Sequence, residues 1–322
     1  MARIGLVLGA GGVVGHAFHA GVLRAVAEAT GWDPRIADIV VGTSAGSHVG
    51  ALLRGGLPAA DIAARVTGDP LSVEGRALLA RVGGPETIPS PRTRAVGMAA
   101  PGLLFRAALR PWGTRLGTLT AAALPTGRIS LRPFAARVRW LFGDAWPERP
   151  LWLPAVRLSD GQRVVFGQEG SPPTDVGTAV AASCAVPGWF TPVEIGGVRY
   201  VDGGVHSPTN LDLLAGQGLD LVIVSSPMSV ARHAMRPSLD LPARATLRLR
   251  LAEEARRVRR GGTPVIAFQP TTADLAVMGL NAMNSRHAHP VVSQAYESAL
   301  GRLRRPDFMD RLAPLAASDR RP

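Results

Sequence analysis

Gly42-Thr43-Ser44-Ala45-Gly46 is the stretch of this chain best suited to carry chemistry. An apolar run at 36–41 leads into it, and a run of small residues at 45–53 follows. Strand, tight turn, serine and helix is a layout that strains the serine backbone and lifts its hydroxyl clear of a sheet. Gly42 and Gly46 suit such a turn, because side chains there would collide with their neighbours. A serine hydroxyl is a weak nucleophile until a base takes its proton. That base must come from elsewhere in the chain.

One candidate lies in Tyr200-Val201-Asp202-Gly203-Gly204-Val205, where a carboxylate follows an apolar strand and two glycines remove bulk after it. The arrangement resembles a base delivered at the C-terminal edge of a sheet, where sites of open α/β folds collect. It is equally the pattern of an ordinary Asp-Gly turn. The other candidates are His16, His19, His48, His206, His233, His287 and His289. A triad would place its histidine on a loop after a late strand. His287 and His289 are late but fall between helix patterns, and His206 stands four residues past Asp202. No histidine is clearly placed as a base. A third segment, Gly9-Ala10-Gly11-Gly12-Val13-Val14-Gly15, supplies successive backbone N–H groups ahead of a helix, a pocket for negative charge. Such a pocket serves a dinucleotide pyrophosphate or the oxyanion of acyl transfer. The glycine spacing is not that of the dinucleotide fingerprint, and a tight turn with no ligand is the plain alternative.

These segments need a scaffold. Residues 3–8 and 36–41 read as buried strands, with a helix from 16 to 29 between them carrying Phe18, Val22 and Val26 on one face. Strand-helix-strand-helix with continuous apolar strands predicts a mostly parallel sheet covered by helices on both faces, an α/β fold in one domain. Residues 68–130, rich in Pro and Gly, break the rhythm and are expected to form an insert or cap. Asp160-Gly161 and Gly196-Gly197 predict hairpins, between 151–158 and 163–166 and between 193–195 and 198–201. Further strands are expected at 219–225 and 265–268, a helix at 174–183 capped by Thr174, and helices at 243–260, 272–283 and 290–305. The catalytic body is expected to span 3–305, with 306–322 a C-terminal tail that frays from Ala313.

The formal charge is +12, and every one of the basic residues is Arg. A positive field favours anionic partners. Aromatic residues make up 5% with two tyrosines, poor material for stacking bases, so an anionic lipid surface is a better expectation than nucleic acid. The arginines near 256–260 and the basic, apolar stretch 92–115 are the places for such contact, or are solvated faces with snorkelling side chains. No membrane-spanning run and no signal peptide is apparent, so a cytoplasmic, at most peripheral, protein is expected. A single Cys184 excludes an intrachain disulfide and a cysteine-rich metal site, and is expected to be buried and inert.

Taken in order, the glycine loop 9–15, Ala20-Gly21-Val22-Leu23, the turn 42–46, the run from Ala181 to Gly188 and the segment from Tyr200 to Gly204 resemble the patatin-like phospholipases. The resemblance covers roughly 3–55 and 174–270. It implies a Ser–Asp dyad without histidine, Ser44 being the nucleophile and Asp202 its base. It also implies an oxyanion hole from the N–H groups of Gly11, Gly12 and Val13, a lipid acyl ester substrate, and no metal or organic cofactor. The chain departs from the family pattern twice. Val14 stands where the loop usually has Arg or Lys, which removes charge assistance, and Ala10 replaces a glycine. Three other functions stay open on the residues alone: transfer of the acyl group to another alcohol, a non-catalytic lipid-binding protein on the same fold, and a nucleotide-dependent oxidoreductase.

Overall fold

The computed structural model describes residues 1–82, 127–234 and 239–318. Eight strands form one mixed sheet: β1 (Ile4–Leu8), β2 (Ile39–Gly42), β3 (Leu151–Arg157), β4 (Arg163–Phe166), β5 (Val193–Ile195), β6 (Val198–Asp202), β7 (Leu221–Ser225) and β8 (Val265–Phe268). The order is β5-β6-β3-β2-β1-β7-β8, with β4 paired to β3. β3, β2, β1, β7 and β8 run parallel, while β4 and β6 are antiparallel to β3, and β5 to β6. Both predicted hairpins form.

The sheet is covered on both faces, and the strand sequences show why. In β1, Ile4, Leu6 and Leu8 enter one apolar core while Val7 enters the other, the period of two that a pleated strand imposes. The larger core lies under α1 (Gly12–Thr30), α2 (Ala45–Arg54), α3 (Ala59–Thr67), α5 (Arg132–Trp140), α6 (Val176–Cys184) and α9 (Ala288–Leu303). The smaller one is closed by α7 (Leu241–Arg260), through Leu251, Ala255 and Val258. A fourth helix, α4 (Val73–Val82), opens the expected insert, whose residues 83–126 lie outside the described residues, as does the whole stretch 92–115. No helix among the described residues is long and apolar enough to cross a membrane.

Three expectations are corrected. The helix α8 (Thr272–Met278) ends five residues early, because Gly279 takes a left-handed φ of 66° and breaks the hydrogen-bond ladder. The residues that follow become a loop that reaches the site described below. Asp175, not Thr174, caps α6 by accepting the N–H of Thr178 at 2.9 Å. The chain also does not fray at Ala313. The short helices α10 (Pro306–Met309) and α11 (Ala313–Ser318) fold back, burying Phe308, Leu312 and Leu315 in the larger core. Phe308 meets Phe268 edge to face at 5.8 Å, and the Arg302 guanidinium covers its ring. Burial of these three apolar side chains offsets part of the entropy cost of ordering the segment.

The approach of α2 to β1 is close enough to make a prediction. A Cβ on Gly46 would lie 2.0 Å from the carbonyl oxygen of Leu8, backbone against backbone. Gly46→Ala is expected to lower stability by about 3 kcal/mol or to prevent folding. Urea unfolding followed by circular dichroism checks this, and an unchanged midpoint would refute the close packing.

Candidate active site

Ser44 sits between β2 and α2 with φ 53° and ψ −120°, a conformation that L residues rarely adopt. Such geometry costs on the order of 1–3 kcal/mol and persists only where its surroundings hold it. Here they do so with hydrogen bonds. The Ser44 N–H donates to Ser183 Oγ at 3.1 Å, and that hydroxyl donates to Pro154 O at 2.7 Å, pinning the turn to α6 and β3. The Ser44 carbonyl accepts from Ser47 Oγ at 2.6 Å and from Cys184 Sγ at 3.2 Å. Cys184 is therefore not the fully buried bystander expected: it is half-buried and lines the same cleft as Ser44.

Asp202 reaches this serine by strand register. Val41 pairs with Trp152, so the chain three residues on, at Ser44, is level with Ala155, and Ala155 pairs with Asp202. The acid does close an apolar strand, but that strand is antiparallel to β3. It enters the site from beyond the parallel edge rather than ending upon it. Its side chain is 4% exposed. Oδ1 accepts the N–H of Gly204 at 2.6 Å. Oδ2 has no well-aligned donor among the described residues, and the side chain close enough to stabilise the carboxylate is Ser44. Burial pushes the Asp202 pKa up from 3.8 to about 6, against the downward pull of the Ser44 hydroxyl and the Gly204 N–H. No histidine contributes to it.

The glycine loop arches over the pair. Its outer donors are committed: Gly9 N–H to Ser225 O, Ala10 N–H to Pro208 O, Val14 N–H to Ala282 O and Gly15 N–H to Gly11 O, all between 2.8 and 3.0 Å. The N–H groups of Gly11, Gly12 and Val13 donate to no acceptor among the described residues. They lie at the N-terminus of α1, where the helix dipole adds to their pull on negative charge. Gly12 has φ 62°, and a Cβ there would lie 2.7 Å from Ala282 O and 2.8 Å from Met283 Sδ. The Val14 side chain, where a charged residue is usual in the family it resembles, is buried in the core. His19 supports the loop from beneath, its ring between Gly9 O at 2.7 Å and Ser225 Oγ at 2.8 Å. Burial lowers its pKa to about 4 against the pull of the Gly9 carbonyl, so it is neutral near pH 7.

Between loop and serine lies a narrow apolar cleft whose walls include His48, Phe134, Phe190 and Met283. Its volume of about 20 Å³ is room for roughly one water molecule. The histidine nearest Ser44 in this cleft is His48, one helical turn further along α2, stacked on His16 at 5.0 Å and edge-on to Phe134 at 5.1 Å. His287 instead bonds Val277 O at 2.8 Å, away from Asp202.

A second polar network ties the two functional loops together. Asn210 Nδ2 donates to Thr43 Oγ1 at 3.1 Å and to Ser207 O at 2.6 Å, while Arg163 donates to its Oδ1. Buried Glu254 on α7 accepts from Ser207 Oγ at 2.6 Å, Thr209 Oγ1 at 2.7 Å and Leu211 N–H at 3.1 Å. The loop after Asp202 is thus fixed both to the residue before Ser44 and to the helix beneath. Among the described residues, no three His, Cys, Asp or Glu side chains converge as metal ligands would.

Among solved structures, VipD from Legionella pneumophila is similar at 15% identity and a TM-score of 0.45, over 94% of this chain and 67% of that one. The type III effector protein ExoU is similar at 18% identity and a TM-score of 0.38, over 96% of this chain and 53% of that one. The family profile described as patatin-like phospholipase matches residues 6–215, a span that takes in the glycine loop, the serine turn and the buried acid. On that match, the chain belongs to the patatin-like phospholipase family.

Proposed function

We propose that this protein hydrolyses lipid acyl esters with Ser44 as nucleophile, Asp202 as its base and the N–H groups of Gly11, Gly12 and Val13 as the oxyanion hole. The observation that carries this reading is the setting of Asp202. Burial, the Ser44 side chain and the Gly204 N–H account for its proton affinity, with no imidazole between acid and serine. A carboxylate with a pKa near 6 is a stronger base than an ordinary one and is still ionised at neutral pH.

The chemistry then follows in two halves. Asp202 takes the Ser44 proton as Oγ attacks the ester carbonyl carbon, and the carbonyl electron pair moves onto oxygen beneath the three N–H groups. Collapse of this intermediate expels the alcohol, which leaves with the proton from Asp202, and Ser44 carries the acyl group. Water attacks that ester and gives its proton to Asp202, and a second collapse releases the fatty acid as Asp202 returns that proton to Ser44 Oγ. The apolar walls of the cleft suit an acyl chain, which enters by displacing side chains such as Met283.

Ser44→Ala and Asp202→Asn are each expected to reduce hydrolysis of a soluble p-nitrophenyl ester by several orders of magnitude while the fold is kept. Gln in place of His206, His287 or His289 is expected to leave the rate within a few-fold. His48→Gln is expected to cost only modestly, since it lines the cleft without acting on Asp202. A loss at any one histidine equal to that of Ser44→Ala would replace the dyad with a triad.

The raised pKa of Asp202 has two further signatures. Catalysis needs the carboxylate, so kcat/KM is expected to rise with pH through about 6 and then level. Stability runs the other way. The folded state holds this proton more tightly than the unfolded state, so the group's contribution is full below about 3.8 and is lost as pH rises through about 6. Asn cannot ionise, so the Tm of Asp202→Asn relative to wild type is expected to climb across that window. A Tm difference that stays flat, or falls, from about pH 4 to about pH 7 would show that the carboxylate is not buried as described.

A further inference from the structure

We propose that the protein docks on an anionic lipid bilayer through Met228, Leu239 and Leu280, with Arg232 and Arg286 beside them, on the edge of the sheet where Ser44 emerges. The inference deepens the lipid-hydrolase reading and rests on it for the choice of a bilayer as the occupant.

Among the described residues seven large apolar side chains are exposed, and three of them, Met228, Leu239 and Leu280, sit on segments joined around the glycine loop. Met228 is 36% exposed, Leu239 90% and Leu280 63%. Each belongs to a segment clasped to the glycine loop or to its neighbour. Met228 follows Pro227, whose ring packs where a Cβ on Gly11 or Gly15 would go. Leu280 precedes Asn281-Ala282-Met283, whose Ala282 carbonyl holds Val14 N–H and whose Met283 walls the cleft of Ser44. Leu239 leads into α7, where Arg244 pairs with Asp240 and donates to Pro227 O at 2.7 Å, tying the start of the helix to the turn that carries Met228. Arg232 and Arg286, both exposed, belong to the same two segments and add positive charge to a chain that already carries +12. Exposed apolar side chains with guanidinium groups on the same segments, beside a site, suit an acyl-chain boundary beneath phosphate head groups.

The more conspicuous cluster, Arg256, Arg257, Arg259 and Arg260, is at the wrong end. α7 is 20 residues long, about 30 Å. Its first turn touches the loop after β7, at the site edge, while its last residues approach Gly216 and the segment that begins β8, at the opposite edge. A membrane held by those four arginines would lie against the edge of the sheet away from Ser44. Of the two sequence readings of this cluster, a solvated face or a lipid patch, the proposal takes the solvated face and assigns the lipid contact to the smaller surface at the site edge.

The test uses the full chain and vesicles of phosphatidylcholine with phosphatidylglycerol. A triple variant, Met228→Ser with Leu239→Ser and Leu280→Ser, is expected to lower co-sedimentation with vesicles by about tenfold or more and to slow hydrolysis of vesicle lipid alike. Its turnover of the soluble p-nitrophenyl ester is expected to stay within twofold. A quadruple variant with Gln at 256, 257, 259 and 260 is expected to bind within twofold of wild type at physiological salt. Leu280→Trp gives a direct readout, a blue-shifted fluorescence on adding vesicles, that survives even if the triple variant folds poorly. Wild-type binding by the triple variant, loss of binding in the quadruple variant alone, or an emission spectrum of the Leu280→Trp variant that does not shift with vesicles would each overturn the proposal. Absence of soluble-ester turnover in the wild type would instead strike the hydrolase reading, while the binding arms still decide the docking surface.

Discussion

A charged oxygen buried beside a serine is the constraint around which the described structure is arranged. Removing a carboxylate from water is expensive, and it is tolerated only where donors meet it. At Asp202 there are few: one backbone N–H and the Ser44 hydroxyl. A Cβ on Gly204 would stand 2.9 Å from Oδ1 and crowd the carboxylate, so glycine suits that position. The polar groups that would otherwise compete are tied elsewhere, in the Asn210 and Glu254 networks. The carboxylate is buried with few donors to offset the loss of water, and that burial is what makes it basic.

The parts of the site that could be seen in the sequence are those written in consecutive residues. A strained turn needs its small flanking residues within a few positions, so 42–46 announced itself. The loop 9–15 did so for the same reason: three of its N–H groups are open because glycine lets the chain turn without side chains to cover them. The hairpins were legible from two Gly dipeptides. The mixed sheet was foreseen in outline, but not that Asp202 would arrive on an antiparallel strand, because pairing across 47 positions, Ala155 to Asp202, has no local signature.

What stayed hidden depends on distance in the chain. Ser183 looks like one small residue among many, and its role appears only when α6 brings its hydroxyl between Ser44 N–H and Pro154 O. Met283 was read as the end of a helix, and a left-handed Gly279 turns it into a wall of the cleft. His19 and Asn210 carry no motif and act through partners 206 and 167 positions away. The C-terminal segment read as a tail that frays from Ala313, yet Phe308, Leu312 and Leu315 are buried in the larger core. In each case a single side chain gains its meaning from a neighbour that sequence order does not supply.

The strained backbone at Ser44 has a consequence for what this chain trades away. A φ of 53° with ψ near −120° is a conformation glycine adopts without penalty. A chain selected for robustness alone would place glycine there and gain back the strain, because the partner of the lost hydroxyl, Asp202, can hold a proton instead. On the proposed role of Ser44, keeping serine leaves the fold below the stability its own scaffold could reach, the usual position of a protein held above a threshold by selection for reactivity. The glycine variant would therefore be the sturdier molecule, and the distance between the two measures, in kelvin of melting temperature, how far the fold has been bent to hold a hydroxyl in place.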